Sequence, residues 1–305
     1  MLYQAAQKWL PKALCQSISA MPNTAKGVWL ALISTALFTL VGVLVRWLSE
    51  SLDVFQILLF RQMVFMVVLL PAMLKAGRAL FQPKFVALHC YRVVGAFIAL
   101  YGGFVTVAHI PLADATALSF TQVLFVAVIS SYFLGEQVNL RRLVTIGVGF
   151  IGVMLVVQPQ FSDEDFYFIL LGLIAAIGAA AAVISVRKMA QTESRLILLV
   201  YQAVFVGAVA LFPAILNWQT PNAEQWALLL LVGIISSCAQ WIGITAYKWG
   251  EANVVSNVEY AKMVYSMALG YWLFDELPNT LAFFGAGLII ASAIVPLLLT
   301  KKSKR

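Results

Sequence analysis

Residues 54–74 read VFQILLFRQMVFMVVLLPAML, and Arg61 is the one charged residue among them. The hydrocarbon core of a bilayer is about 30 Å thick, and about 20 apolar residues of α-helix cross it. This window therefore predicts a transmembrane helix. The whole chain has the same character, since 62% of its 305 residues are hydrophobic and 11% are charged. Soluble domains are about 25% charged, so the composition predicts a protein of the lipid bilayer.

Windows of the same kind recur along the chain and are separated by short polar breaks. They predict ten spans, near residues 27–48, 54–74, 86–108, 112–134, 141–157, 166–187, 196–216, 225–247, 252–274 and 280–299. The predicted fold is an all-α polytopic membrane protein, with ten transmembrane helices arranged as two inverted five-helix repeats. The predicted segments are a cytoplasmic N-terminal segment (1–26), a first repeat (27–157), a second repeat (166–299) and a basic cytoplasmic tail (300–305).

The charged residues predict how the helices are oriented. If the N-terminus is cytoplasmic, the basic residues of the loops all fall on the inner side, and the outer loops contain only acidic ones. Cytoplasmic loops are enriched in Lys and Arg, so we expect both termini in the cytoplasm. This topology also accounts for the net charge of +7, so we expect the bilayer, and no nucleic acid, as a partner.

An internal repeat supports the division into two halves. The run Tyr132-Phe-Leu-Gly-Glu136 closes the fourth predicted span, and Tyr271-Trp-Leu-Phe-Asp-Glu276 closes the ninth, so the two glutamates lie 140 residues apart. Each copy contains five spans, an odd number, and the second copy is therefore expected to be inverted relative to the first. Inverted repeats with a binding site between them are common in secondary transporters.

Four features together resemble a known family. They are Arg61 in the second span, Arg92 opening the third, the loop Ile110-Pro-Leu-Ala-Asp-Ala-Thr-Ala-Leu118, and Gly135-Glu136 closing the fourth. This pattern resembles the drug/metabolite transporter superfamily, in its ten-span EamA-like branch with two domains. One departure is Phe120-Thr-Gln122, where many members have a proline. A kink in the fourth helix is therefore not expected here, and Gln122 offers an amide instead.

The resemblance implies a secondary, alternating-access carrier of a small metabolite in the cytoplasmic membrane. The implied substrate is amino-acid-derived or zwitterionic, such as S-adenosylmethionine, an amino acid or an opine-type metallophore, with import and export both open. An alternative within the family is riboflavin or another planar metabolite. An alternative of another class is a membrane-embedded transferase, but the predicted loops are too short to hold the acidic or histidine cluster of such an enzyme.

Charged residues within the predicted spans are the strongest site candidates, because such a charge near the bilayer centre costs at least about 2.5 to 3.5 kcal/mol. Glu259 and Lys262 are three residues apart on the ninth span and share one helix face. They form a structural ion pair, or they bind the ammonium and carboxylate of a substrate, or Glu259 takes up a coupling proton.

Three arginines also lie within or beside predicted spans. Arg61 lies deep in the second span, where its guanidinium suits a carboxylate or a phosphate, and the alternative is pairing with Glu259 or a backbone carbonyl. Arg92 is nearer the inner surface and is interpreted as a helix anchor. Arg46 lies at the outer end of the first span and is interpreted as an interfacial anchor.

Polar and aromatic residues complete the predicted lining, although each one is more often a packing residue. Their rings can stack on a substrate, and their polar atoms can orient it. The predicted substrate-binding set is Arg61, Tyr101, Gln122, Trp241, Glu259, Tyr260, Lys262 and Tyr265, with Glu259 as the candidate for proton coupling.

Other functional motifs are weak. Gly147, Gly149 and Gly152 match a GxGxxG pattern, but they lie inside an apolar helical window, which favours helix packing over dinucleotide binding. Cys15, Cys90 and Cys238 are far apart and lack the spacing of a metal site. We therefore expect no cofactor, no metal and no enzymatic activity. The chain is expected to act as a monomer or homodimer.

Overall fold

The structure is a computed structural model that describes residues 23–134, 140–158, 165–189, 193–249, 258 and 261–302. These residues form ten α-helices and one 3-10 helix, and they contain no strand. The helices are α1 (Asn23–Ser49), α2 (Val54–Ala76), α3 (Val86–His109), α4 (Leu112–Leu134), α5 (Leu140–Val157), α6 (Asp165–Met189), α7 (Arg195–Leu216), α8 (Ala223–Trp249), α9 (Ala261–Phe274) and α10 (Thr280–Lys302). The 3-10 helix, Gly77–Phe81, follows α2 directly.

The apolar composition forces these helices into a membrane. Six of them, α1, α2, α3, α6, α7 and α8, contain apolar stretches long enough to cross a bilayer, and shorter apolar runs occur in α5 (Gly147–Val157) and α10 (Thr280–Ser292). Large apolar side chains cover the outside of the bundle, including Val67, Phe212 and Phe284, each about two-thirds exposed. Such a surface suits lipid and not water. The protein is an all-helical, polytopic membrane protein.

Polar contacts between helix ends define one face of the bundle, which we call the Glu276 face. They are the ion pair of Arg46 with Glu276, the hydrogen bond from Gln56 Nε2 to Gln219 O (2.8 Å), and the hydrogen bond from Gln158 Nε2 to Asn279 Oδ1 (2.9 Å). The end of α1, the start of α2, the end of α5 and the start of α10 therefore lie on this face.

The opposite face is called the Glu193 face. There the backbone N–H of Lys84, just before α3, donates to the carboxylate of Glu193, just before α7. His89 in the first turn of α3 lies beside the same carboxylate, with 3.6 Å between Nε2 and Oε1. Because α2 starts on one face and α3 on the other, consecutive helices here run in opposite directions.

Glycines allow two helix pairs to approach closely. A Cβ added to Gly95 of α3 would lie 2.7 Å from the carbonyl oxygen of Gly178 of α6, and the reverse distance is also 2.7 Å. Gly152 of α5 and Gly285 of α10 are related in the same reciprocal way, at 2.8 and 2.6 Å. Small residues at these contacts bring two backbones together, as is usual where helices pack in lipid. The interpretation of Gly152 as a packing residue agrees with this contact.

Helix α4 runs from Leu112 to Leu134 without a break. It passes through Gln122, where related sequences are expected to have a proline. A glutamine keeps the backbone N–H that a proline would remove, so the helical hydrogen bonds can continue. The side chain of Gln122 is thereby carried on a regular helix.

Candidate functional site

A cavity of about 350 Å³ lies among α1, α3, α4 and α6, with one residue from α9. Its volume is at the small end of the range of about 300 to 1,000 Å³ that ligand sites occupy. Its polar lining residues are Thr39, Thr106, Thr116, Ser119, Gln122 and Lys262. The cavity therefore brings together two residues of the predicted set, Gln122 and Lys262.

The hydroxyl groups of this cavity are arranged as acceptors. Thr39 donates to Thr35 O (2.9 Å), Thr106 to Gly102 O (2.7 Å), and Thr116 to Leu112 O (2.8 Å), all within their own helices; Ser119 donates likewise to Thr116 O (2.6 Å). A hydroxyl has one hydrogen to donate and two lone pairs with which to accept. With the hydrogen engaged, these oxygens can accept from the N–H groups of a ligand.

Lys262 supplies positive charge to the same cavity. Its Nζ lies 5.5 Å from the centroid of the Phe38 ring, and both residues line the cavity. Lys262 forms no ion pair with another residue that the structure describes. An ammonium group that lies over a ring face and borders open space has the charge to bind a carboxylate.

Small residues create the space. Gly42, Ala99, Gly103, Ala115, Gly172, Ala175, Ala176 and Ala179 all line the cavity. Gly103 is the clearest case, because a Cβ added there would meet nothing within 4 Å. The cavity therefore exists because four helices present short side chains to one another at the same level.

Leu112, the first residue of α4, lines the cavity and is 2% exposed. Glu276 pairs with Arg46 through Oε1 and accepts from the backbone N–H of Leu112 through Oε2, at 2.9 Å. The guanidinium carbon of Arg46 lies 4.2 Å from the centroid of the Phe274 ring. We call this set of contacts the Arg46–Glu276 latch. Interpreting Arg46 as an interfacial anchor missed this pairing with the second half of the chain.

Arg61 is buried on α2, with 5% of its surface exposed, and does not line the cavity. Its guanidinium carbon lies 5.9 Å from the centroid of the Phe104 ring. Its Nε and Nη1 atoms have no hydrogen-bond partner. A backbone carbonyl is therefore not the partner of these two atoms, and the predicted pairing of Arg61 with Glu259 stays a prediction, because Glu259 is outside the described residues.

Arg92 differs from Arg61, although both are buried. It donates to the carbonyl of Leu198 and, at 2.8 Å, to Oε1 of Gln202, so it ties α3 to α7. This agrees with its interpretation as a helix anchor.

Three aromatic residues of the predicted set lie away from the cavity lining. Tyr101 stacks on Phe55 with 4.1 Å between ring centroids, Tyr265 is half-buried on α9, and Trp241 is half-exposed on α8. Glu259 and Tyr260 are outside the described residues. The predicted pair of Glu259 with Lys262, and the coupling role of Glu259, stay predictions. No group of three or more potential metal ligands occurs in the described part of the chain.

The chain matches the model of the EamA-like transporter family twice, over residues 25–158 and 166–298. It is similar to the pseudopaline exporter of Pseudomonas aeruginosa, at 28% identity over 90% of this chain and 97% of that protein. It is also similar to the S-adenosylmethionine uptake transporter of Rickettsia bellii, at 28% identity over 93% and 97% of the two chains. The riboflavin transporter of Vibrio cholerae is 30% identical over 71% of this chain and 74% of that protein.

A protein of known crystal structure has a similar fold. It superposes with a TM-score of 0.67, covering 92% of this chain and 100% of its own, at 18% sequence identity. At this level of identity the likeness concerns the fold alone.

Proposed function

Because the chain belongs to the EamA-like transporter family and is a transporter of small metabolites, we propose that it works by alternating access between two inverted halves. Its proposed substrate is an amino-acid-derived or zwitterionic metabolite, bound in the cavity among α1, α3, α4 and α6. Transport is its proposed role, with no catalytic step.

The observation that carries this proposal is the chemistry of the cavity. The Lys262 ammonium suits a carboxylate, and the hydroxyl oxygens of Thr39, Thr116 and Ser119 suit an ammonium group. Gln122 can serve either group, since its amide both donates and accepts. Glu259 and Tyr260 are proposed further contacts, because both are within one helical turn of Lys262 in the sequence.

The inverted arrangement is supported by the pattern of helix contacts. If each helix is replaced by the helix five places along the chain, the contact of α3 with α6 becomes the contact of α8 with α1. Both of these helix pairs pack together. The same exchange relates α2 with α8 to α7 with α3, and α4 with α6 to α9 with α1. Pro71 in α2 and Pro213 in α7 occupy matching places, in Leu-Pro-Ala-Met-Leu and Phe-Pro-Ala-Ile-Leu.

The proposed orientation places both termini in the cytoplasm of a bacterial cell, with the chain in the inner membrane. The excess of basic residues in the predicted inner loops supports it. In this orientation the Glu276 face is external, so the Arg46–Glu276 latch closes the cavity on the outside. Coupling to protons through Glu259, and a monomeric or homodimeric state, remain parts of the proposal.

A second candidate substrate is riboflavin, which the Vibrio cholerae relative is named for transporting. A flavin ring is usually held by aromatic stacking. Among the described residues that line the cavity, Phe38 is the aromatic one. The lining therefore favours a compact zwitterion over a flat ring system.

Counterflow with the purified protein in liposomes tests the proposal. Vesicles loaded in turn with amino acids, S-adenosylmethionine, an opine-type amino diacid and riboflavin are offered the same compound in labelled form. Saturable exchange of at least one zwitterion, and weaker exchange of riboflavin, is the expected result. Exchange of riboflavin alone would overturn the proposed substrate class, and absence of exchange for every compound would overturn the proposed mechanism.

A further inference from the structure

Two adjacent residues of α2 bury polar atoms that the fold leaves without partners. Arg61 is 5% exposed and Gln62 is fully buried. Nε and Nη1 of Arg61, and both Nε2 and Oε1 of Gln62, have no hydrogen-bond partner. Buried polar groups are nearly always hydrogen-bonded, and a charged group within the bilayer is costly. Four such atoms in neighbouring side chains therefore call for an explanation.

Arg92 shows how the fold holds an arginine that serves packing. It is equally buried, at 5% exposure, and although its Nε is unpaired, its Nη1 and Nη2 donate to a carbonyl and an amide oxygen on α7. At Arg61 both Nε and Nη1 are unpaired, and the guanidinium carbon lies 5.9 Å from the centroid of the Phe104 ring. The difference between the two arginines indicates that Arg61 is kept for a group that is not part of the fold.

The position of Phe104 connects Arg61 with the cavity. Phe104 follows Gly103, which lines the cavity, and Leu100, one turn earlier, lines it as well. Phe104 also packs with Leu58 and Leu59 of α2, against the cluster that contains Val206 of α7. On the other side, Gly207 of α7 leaves room for Gln62, with 3.4 Å from an added Cβ to the Cβ of Gln62. Phe104 therefore borders the guanidinium of Arg61, while Gly103 and Leu100 on the same helix line the cavity.

We propose that Arg61 forms an oxyanion-binding subsite that Phe104 screens from the cavity in this conformation. The inference rests on the proposed function and deepens it. A guanidinium suits a carboxylate, which can accept two of its N–H groups in parallel. Lys262 takes one acidic group of the substrate, Arg61 takes a second, and the hydroxyl oxygens take the amine between them. The substrate class is then an amine that carries two acidic groups.

Chemical modification of arginine tests the subsite without requiring a known substrate. The intact protein in lipid nanodiscs is treated with phenylglyoxal, and mass spectrometry measures the rate at which Arg61 is modified, with Arg92 as the internal reference. Replacing the screening ring in Phe104→Ala should make Arg61 react about tenfold faster. Phe97→Ala is the matched control, because that ring stacks with Tyr101 and does not cover Arg61. Phe104→Leu gives a second, milder test if Phe104→Ala fails to fold.

Anions added before the reagent test what the subsite binds. Succinate should slow the modification of Arg61 in Phe104→Ala and leave Arg92 unaffected. Stronger protection by inorganic phosphate than by succinate would overturn the assignment to a carboxylate. Protection by neither anion, or equal reaction rates in the wild type and Phe104→Ala, would overturn the subsite.

Thermal stability separates this subsite from a structural role. Arg61→Met should leave the melting temperature unchanged or raise it, whereas Arg92→Met should lower it. A fall for Arg61→Met as large as that for Arg92→Met would contradict the proposal. These measurements do not depend on transport. If anions protect Arg61 but no compound exchanges in counterflow, the result counts against the proposed function and not against the subsite.

Discussion

At the scale of single residues, Lys262 is the residue whose replacement tests the proposed substrate class most directly. It lines the cavity and has no ion-pair partner among the described residues. Hydrogen bonds to charged groups contribute about 1.5 to 3 kcal/mol, which corresponds to about 10- to 100-fold in a dissociation constant.

Lys262→Met should therefore weaken the binding of a carboxylate-bearing substrate by at least about tenfold. Titration of the purified variant by calorimetry, with the compound that exchanges best in counterflow, measures the change. Lys75→Met is the matched control, because Lys75 is an exposed lysine in the last turn of α2. Equal affinities of Lys262→Met and the wild type would remove Lys262 from the site.

Gln122 and Lys262 could be predicted from the sequence because each is a polar residue in an apolar helix. Thr39, Thr106 and Thr116 also line the cavity, but no sequence pattern distinguishes them from other threonines. A threonine in a helix commonly donates to a carbonyl one turn earlier, so its type does not indicate a site. Trp241 of the predicted set is half-exposed on α8 and lies away from this lining, so its place in a binding site stays a prediction.

At the scale of helices, the contact between α3 and α6 depends on glycine. A Cβ added to Gly178 would meet Gly95 O at 2.7 Å and Ile98 Cγ2 at 2.8 Å, so Gly178→Leu must separate the two helices. Overpacking of this kind costs about 1 to 3 kcal/mol. The melting temperature of the purified variant should fall by several degrees. Gly147→Leu, where an added Cβ meets nothing within 4 Å, should leave it unchanged, and a similar fall in both would contradict the close contact.

The Arg46–Glu276 latch ties α1 to the start of α4 and to the segment between α9 and α10. Glu276→Gln removes the charge that holds Arg46, so the cavity should open more often toward the Glu276 face. The labelling rate of Gly103→Cys by a membrane-impermeant thiol reagent, in a chain whose native cysteines are replaced by serine, measures this opening. We expect a rate several times higher with Glu276→Gln.

Two variants control for the latch experiment. Asn279→Ala removes a hydrogen bond to Gln158 on the same face and should leave the labelling rate unchanged. Exchange of the two charges, in Arg46→Glu with Glu276→Arg, should return the rate toward that of the starting chain. An unchanged rate in Glu276→Gln would mean that the latch does not close the cavity.

The ends of the helices could be predicted well, because apolar residues fill the part of each helix that crosses the bilayer and polar residues follow at its ends. In the described residues, predicted and observed ends agree within four residues, apart from the start of the ninth span, predicted at 252, which lies outside them. The pairing of helices could not be predicted in this way. Which faces meet depends on small residues such as Gly95 and Gly178, and hydropathy does not distinguish a glycine facing a helix from one facing lipid.

At the scale of the whole molecule, the family match and the helix contacts describe two similar units. The EamA-like model matches residues 25–158 and 166–298, and three contacts between the two units, α3 with α6, α2 with α8 and α4 with α6, have counterparts when the helices are exchanged five places along. A carrier built in this way can hold a substrate between its halves and open toward either side. The cavity lies where helices of both units meet, since α1, α3 and α4 belong to one and α6 and α9 to the other.

Counterflow by Gly103→Leu tests this account most directly. Because Gly103 lines the cavity and a Cβ added there meets nothing within 4 Å, we expect a leucine there to extend into the cavity. We predict that Gly103→Leu folds, with the melting temperature of the wild type, and loses most of its saturable exchange of zwitterionic metabolites. Gly147→Leu should exchange them at the rate of the wild type. Undiminished exchange by Gly103→Leu would show that the substrate does not pass through this cavity.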